Sequence, residues 1–190
     1  MKGAGPSLPS DFELLDRWRA DDQDAGNQLF QRHLDSVYQF FESKLGGDEV
    51  GDLVQRTFLA CVRSRDVFRK QSSFRTYMFA IARNELYSFF RRKVGSPIDF
   101  ELRSAVDLGT SPSVAAARGQ RQVALIEALR SLAVDQQLIL ELHYWEDFDA
   151  GELGEVLGID RTTARTRLHR ARKQLRVELE RRGHGSWSEP

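Results

Sequence analysis

The chain has 190 residues, 28 basic and 28 acidic side chains, 41% hydrophobic residues and one cysteine, which admits one domain or two small ones and excludes wholesale disorder. No apolar run approaches the roughly 20 residues of a transmembrane helix. Met1 to Ser10 lacks the apolar stretch of a secretory signal, and a lone Cys61 excludes an internal disulfide or a cysteine-rich zinc site, so a soluble cytoplasmic protein is expected.

The predicted elements are all helices. No long apolar–polar alternation occurs and β-branched residues are sparse. Met1 to Ser10 is expected to be disordered. Ser10-Asp-Phe-Glu13 then reads as a capping box, opening a helix with Phe12, Leu15 and Trp18 at helical spacing. A second helix, from about Asp24 to Leu45, should turn Leu29, Phe30, Leu34, Val37, Phe40 and Phe41 inward before Gly46-Gly47 ends it. A third runs from about Asp48 to Ser64. A polar loop, Arg69 to Ser73, leads into a fourth from about Phe74 to Lys93, closed by Gly95. Gly95 to Ser113 is rich in glycine, proline and serine and lacks helical periodicity, so a flexible linker is expected over 95–111. Ser111-Pro112 offers a cap followed by proline at the first helical position, for a helix to about Leu132. Another helix spans about Asp135 to Trp145. Asp149 to Glu152 reads as a second capping box, opening a short helix to Leu157. Gly158-Ile-Asp160 is a tight turn, and Asp160 can cap a last helix from Arg161 to about Arg182. The expected organisation is therefore two small helical domains, 11–94 and 112–182, with a tail over 183–190.

The neutral net charge conceals a pattern. Met1 to Val62 sums to −5, Arg63 to Lys93 to +7, Val94 to Asp160 to −8, and Arg161 to Pro190 to +6. Two basic blocks between acidic ones suggest two places that meet a polyanion, unless they are simply solvated helix faces.

The last basic block has the form of a helix-turn-helix. At 100° per residue, Ala164, Leu168, Ala171, Leu175 and Leu179 share one stripe, to pack on Leu153, Val156, Leu157 and Ile159. The opposite face presents Thr162, Thr166, His169, Arg170 and Lys173, with Arg165 and Arg172 on a flank, and no acidic residue falls between Arg161 and Arg176. A helix fits the major groove, where arginine pairs guanine acceptors, threonine touches a thymine methyl and lysine neutralises phosphate. The first basic block differs. Its helix should bury Phe74, Met78, Ile81, Ala82, Leu86 and Phe89. Tyr77, Asn84, Ser88 and Arg91 then form one line, with Tyr87 beside it and Arg69, Lys70, Arg75, Arg83, Arg92 and Lys93 flanking. Aromatics among basic residues suit single-stranded nucleic acid, while half-buried core tyrosines remain the alternative.

Taken together, Asp52-Leu-Val-Gln-Arg-Thr-Phe58, Ser73-Phe-Arg-Thr-Tyr-Met-Phe-Ala-Ile-Ala-Arg-Asn84 and Arg91-Arg-Lys93 resemble the region-2 motifs of bacterial extracytoplasmic-function sigma factors. Glu152-Leu-Gly-Glu-Val-Leu-Gly158 and Thr163-Ala-Arg-Thr-Arg-Leu-His-Arg-Ala-Arg172 resemble their region-4 helix-turn-helix. The resemblance covers about Asp11 to Arg182. It implies a region-2 bundle and a region-4 domain in a non-enzymatic, cofactor-free subunit that directs RNA polymerase to promoters. Region 2 would bind the clamp of the polymerase β′ subunit and open the −10 element. Region 4 would bind the β flap and read the −35 element as duplex. An anti-sigma factor would be a further partner. Asn84 matches the asparagine that helps capture a flipped −10 base, and the Arg69–Ser73 loop matches the loop shaping that pocket; Tyr77, Tyr87, Ser88 and Arg91 join this −10 surface. Arg165, Thr166, His169 and Arg170 match −35 reading positions, flanked by Arg161, Thr162 and Lys173. Asp48, Asp52 and Gln55 match the clamp-binding face, with Arg56 beside them.

The chain departs from the family pattern at several points. Tyr77 stands where tryptophan is usual and Ser88 where aspartate is often found. Gly51-Asp52 and Arg56 leave the clamp-binding face less acidic than usual, and phosphorylation of nearby Thr57 is one way to restore charge. Two other readings stay open: a dimeric helix-turn-helix regulator of duplex DNA alone, and a helical adaptor whose basic faces bind acidic proteins. Cys61 reads as a small buried residue. His33, His143, His169 and His184 lack metal-ligand spacing. Glu146, Asp147 and Asp149 read as a capping loop.

Overall fold

Why each helix starts and stops where it does is written in its caps. The computed structural model describes residues 8–95, 97–105, 108 and 120–183. Among them are eight helices: α1 Asp11–Arg19, α2 Gln23–Glu42, α3 Asp48–Ser64, α4 Phe74–Val94, α5 Gln120–Ser131, α6 Val134–Trp145, α7 Ala150–Leu157 and α8 Arg161–Arg181. The all-helical expectation is met, and the only β-type pairing among the described residues is an isolated bridge between Ser104 and Ala133. Ser10 and Glu13 close the capping box of α1 reciprocally, at 3.2 and 2.6 Å. Asp22, Ser73 and Asp160 accept backbone N–H groups at the starts of α2, α4 and α8. Each satisfies a donor that the first helical turn leaves without an internal partner. The cap expected at Ser111-Pro112, most of the N-terminal segment 1–10 expected to be disordered, and the tail beyond Gly183 lie outside the described residues.

The helices α1, α2, α3 and α4 pack in sequence as one bundle, and α5, α6 and α7 pack around α8 as another. The two bundles meet along α4 and α7. One apolar core runs through both, from Leu14, Phe41 and Met78 to Leu138, Leu153 and Leu168. At the junction Phe79 is fully buried between Phe40 and Phe148, edge-on to both at 5.6 and 5.5 Å. Burying an aromatic side chain of this size stabilises a core by a few kcal/mol.

Two expectations need correction. Leu34 is 43% exposed rather than inward; it sits on the flank of α2 that His33 and Val37, both buried, leave outside. The described part of the linker, 97–105 and 108, is packed rather than detached. Phe100 and Leu108 are buried, and the carbonyls of Phe100 and Arg103 accept the N–H groups of Asp135 and Val134.

Candidate nucleic-acid interface

The α7–α8 unit is built from its turn outward. Asp149 accepts the N–H groups of Gly151 and Glu152, while Glu152 answers on the N–H of Asp149. The helix ends on Gly158, whose φ of 68° is the left-handed conformation that glycine adopts without strain. Gly154 has a second reason to lack a side chain: a Cβ there would lie 2.6 Å from the carbonyl oxygen of Ile159. That carbonyl comes close because the Ile159 N–H donates back to Gly154 O at 2.9 Å. Asp160 then takes both the N–H and the hydroxyl of Thr163, at 2.9 and 2.5 Å. Those bonds from Thr163 hold its carboxyl below the usual carboxylate range.

From this start α8 presents two clean faces. Ala164, Leu168, Ala171, Leu175 and Leu179 are all buried. Arg161, Thr162, Arg165, Thr166, His169, Arg170 and Lys173 are all exposed. Thr162, Thr166 and Arg170 line a cleft of about 470 Å³ that Glu101, Leu102 and Asp135 close on the far side. Arg172, expected on the flank of this face, turns inward instead, with its guanidinium on His143 at 2.8 Å and over the Tyr144 ring. His143 also meets the carbonyl of Phe148 at 3.0 Å and belongs to this junction.

The α4 surface is less open. Asn84 and Arg91 are exposed, and Ser88 half-buried. Tyr77 is half-buried and stacked on Phe68 at 4.3 Å, in the alternative role of a core-edge aromatic. Tyr87 is stacked on Phe100 of the linker at 3.9 Å, and its hydroxyl donates to Asp135. Burial, with Asp135 beside it, pushes the Tyr87 hydroxyl well above its ordinary pKa. Arg83, expected to flank the line, donates to the Val156 carbonyl of α7 at 2.6 Å. Arg75 covers the Phe148 ring at 4.4 Å. In the Arg69–Ser73 loop, Arg69 is exposed, while Lys70 reaches back to Asp16 at 2.5 Å with its backbone in the left-handed region. Phe79 and Phe90 are buried where Ile81 and Phe89 were expected, because α4 is packed on several sides at once.

On α3, Asp48, Asp52, Gln55 and Arg56 are exposed, and the same face continues through Leu59 and Val62, 44% and 45% exposed. Thr57 is fully buried and donates its hydroxyl to the Leu53 carbonyl at 2.8 Å. A phosphate there would have no room and no solvent, so the phosphorylation expectation is withdrawn. Cys61 is buried, and desolvation raises its thiol to about 12. Sequence reasoning missed two groups. Asp135 touches both Tyr87 and Arg167, and Lys44 is wholly buried against Glu141. Both contacts join residues far apart in the chain, which no local spacing reveals. No helix among the described residues is long and apolar enough to cross a membrane.

Comparison with known proteins places both halves. The model of sigma-70 region 2 matches residues 29–95, and that of sigma-70 region 4 matches residues 122–175. The chain is 30% identical to the RNA polymerase sigma factor CarQ of Myxococcus xanthus over 168 residues, covering 87% of this chain and 95% of that one. It is 27% identical to the extracytoplasmic-function (ECF) sigma factor SigW of Bacillus subtilis, over 83% of this chain and 90% of that one. It is 28% identical to the ECF sigma factor BldN of Streptomyces coelicolor, over 90% and 67%. Among solved structures, CnrH in complex with the cytosolic domain of CnrY shares the fold with a TM-score of 0.69, at 24% identity over 90% of this chain and 98% of that one.

Proposed function

The chain belongs to the extracytoplasmic-function group of RNA polymerase sigma factors, which direct transcription initiation, and from that premise we propose that it reads a promoter in two forms, duplex at −35 and separated strands at −10. Region 4, over 112–182, reads the −35 element with Arg161, Thr162, Arg165, Thr166, His169, Arg170 and Lys173. Region 2, over 11–94, captures a flipped −10 base with Asn84, aided by Arg69, Lys70, Tyr77, Tyr87, Ser88 and Arg91. Extruding a base costs a few kcal/mol of stacking and pairing, so a pocket that accepts one base melts the duplex and reads it together. The linker spans the two. Asp48, Asp52, Gln55 and Arg56 dock on the β′ clamp of core polymerase, with Leu59 and Val62 adding apolar area to an acid-poor face. Region 4 meets the β flap. An anti-sigma factor is a further partner, in keeping with a solved structure of similar fold, the sigma factor RpoE of Bartonella quintana in complex with the anti-sigma factor NepR.

The observation that carries this reading is the row of exposed basic and hydroxylated side chains on α8, uninterrupted by any acidic residue from Arg161 to Arg176. Run-off transcription with core polymerase, on the promoter upstream of the chain's own gene, tests it. Product is expected only when the chain is added. In the same assay Asn84→Ala should abolish or weaken permanganate reactivity at −10 while duplex binding persists. Unchanged footprints would remove Asn84 from the melting step.

A further inference from the structure

Helix α1 carries no residue of either proposed reading face, yet it is fixed at both ends and reaches the segment that leads into the proposed −10 loop. At its start Asp11 accepts from Arg32 at 2.6 Å and meets His33 at 2.7 Å. Near its end Trp18 is buried so close to α2 that a Cβ on Gly26 would lie 2.7 Å from the indole ring. A helix held in this way is a fixed reference for whatever it grips.

What α1 grips is the chain between α3 and α4. The Arg19 guanidinium donates through two nitrogens to the Arg65 carbonyl, at 3.0 and 2.6 Å, and to the Phe68 carbonyl at 2.5 Å. Arg65 returns the contact, donating to the Trp18 carbonyl at 3.1 Å and lying over the Trp18 ring. Asp16 takes the Lys70 ammonium at 2.5 Å. Inside this clasp the Val67 and Phe68 N–H groups both donate to the Ser64 carbonyl, at 3.1 Å each. Phe68 is buried, and its ring is the one that stacks on Tyr77. On the far side of the loop Ser73 is fixed as the cap of α4. The loop Arg69–Ser73 is thus pinned at both ends, and the pin on the Phe68 side is made by α1.

We infer that Arg19 is a positioning residue for −10 recognition: it fixes the Phe68 carbonyl, and through Phe68 it sets where the Arg69–Ser73 loop and the Tyr77 ring stand, and so which base the pocket accepts. This deepens the −10 reading above and rests on it. The arrangement calls for arginine. A planar guanidinium presents its N–H donors in fixed directions and holds two carbonyls at once, whereas a lysine ammonium keeps the charge but is a point donor on a flexible stem. A site that discriminates must be held to within about 0.5 Å, so losing the fork costs selectivity before it costs binding. Arg19 acts without touching DNA, because its donors are aimed at the protein's own carbonyls.

The test uses the full chain as wild type, Arg19→Ala and Arg19→Lys. In hydrogen exchange on the free chain, the Val67 and Phe68 amides should exchange about tenfold faster in both variants, while the amides of α8 keep their wild-type rates. Holoenzymes reconstituted with core polymerase are then titrated with single-stranded −10 oligonucleotides from the promoter of the chain's own gene, each position carrying each of the four bases in turn. The ratio of affinities for preferred and disfavoured bases should fall about tenfold in both variants, the loss of one base contact, with affinity for the −35 duplex kept. Unaltered exchange at Val67 and Phe68, or a base preference in Arg19→Ala equal to that of wild type, would overturn the inference. So would full wild-type preference in Arg19→Lys, which would make the effect one of charge alone. A wild-type holoenzyme that prefers no base at any position would instead sink the −10 reading itself, and the exchange rates would still decide whether Arg19 holds the loop.

Discussion

The helices α8 and α4 carry the two basic blocks, are both 21 residues long, and behave oppositely in the fold. One side of α8 is buried and the other is open. Every residue assigned to its reading face is exposed, because the helix packs on α5, α6 and α7 from one side only. By contrast α4 contacts α2, α3 and α7, so its apolar residues are distributed around its girth and its basic residues are drawn into contacts with neighbours. A face chosen by periodicity is dependable when a helix packs from one side and degrades when it is packed on several.

The contrast can be tested by substitutions on each helix. The largest effect is expected at the α4 junction. Phe79→Ala should lower unfolding free energy by about 3–5 kcal/mol in denaturant titration, whereas Arg165→Ala on the open face of α8 should stay within about 0.5 kcal/mol. An equal cost at the two positions would erase the distinction. Next comes recognition. Arg170→Ala should cost about 1–3 kcal/mol of promoter affinity if it reads a base. An equal loss on unrelated duplex would reassign it to phosphate. The smallest effect is expected at the α8 cap. The Asp160 carboxyl lies below its ordinary pKa because it accepts from Thr163, so its contribution to stability is present above that ordinary value and is lost as pH falls through the lowered one. Asp160→Ala should therefore lower the unfolding midpoint slightly at neutral pH and converge with wild type in acid. A difference that persists at low pH would assign the effect to something other than the charged cap.

Much of this was legible in the sequence because it is local. The capping pairs Ser10 with Glu13 and Asp149 with Glu152 stand three residues apart, and Gly158 follows directly on the last apolar residue of α7. The stripe Ala164 to Leu179 needs only the period of one helix. What escaped is non-local. Nothing near Lys44 announces Glu141, 97 residues away. The Tyr87–Asp135 contact spans 48 residues and depends on the linker folding back. Thr57 shows a third limit. Polar and beside an exposed face, it reads as accessible, yet its position on α3 turns it inward, where its hydroxyl bonds back to the preceding turn.

The solitary thiol has a practical corollary. Its poor ionisation and its burial leave Cys61 almost unreactive toward alkylating reagents and peroxide while the first bundle is intact. Its rate of modification therefore clocks local unfolding of that bundle. Thiol-based sensitivity of this chain to oxidants would therefore require that bundle to open first.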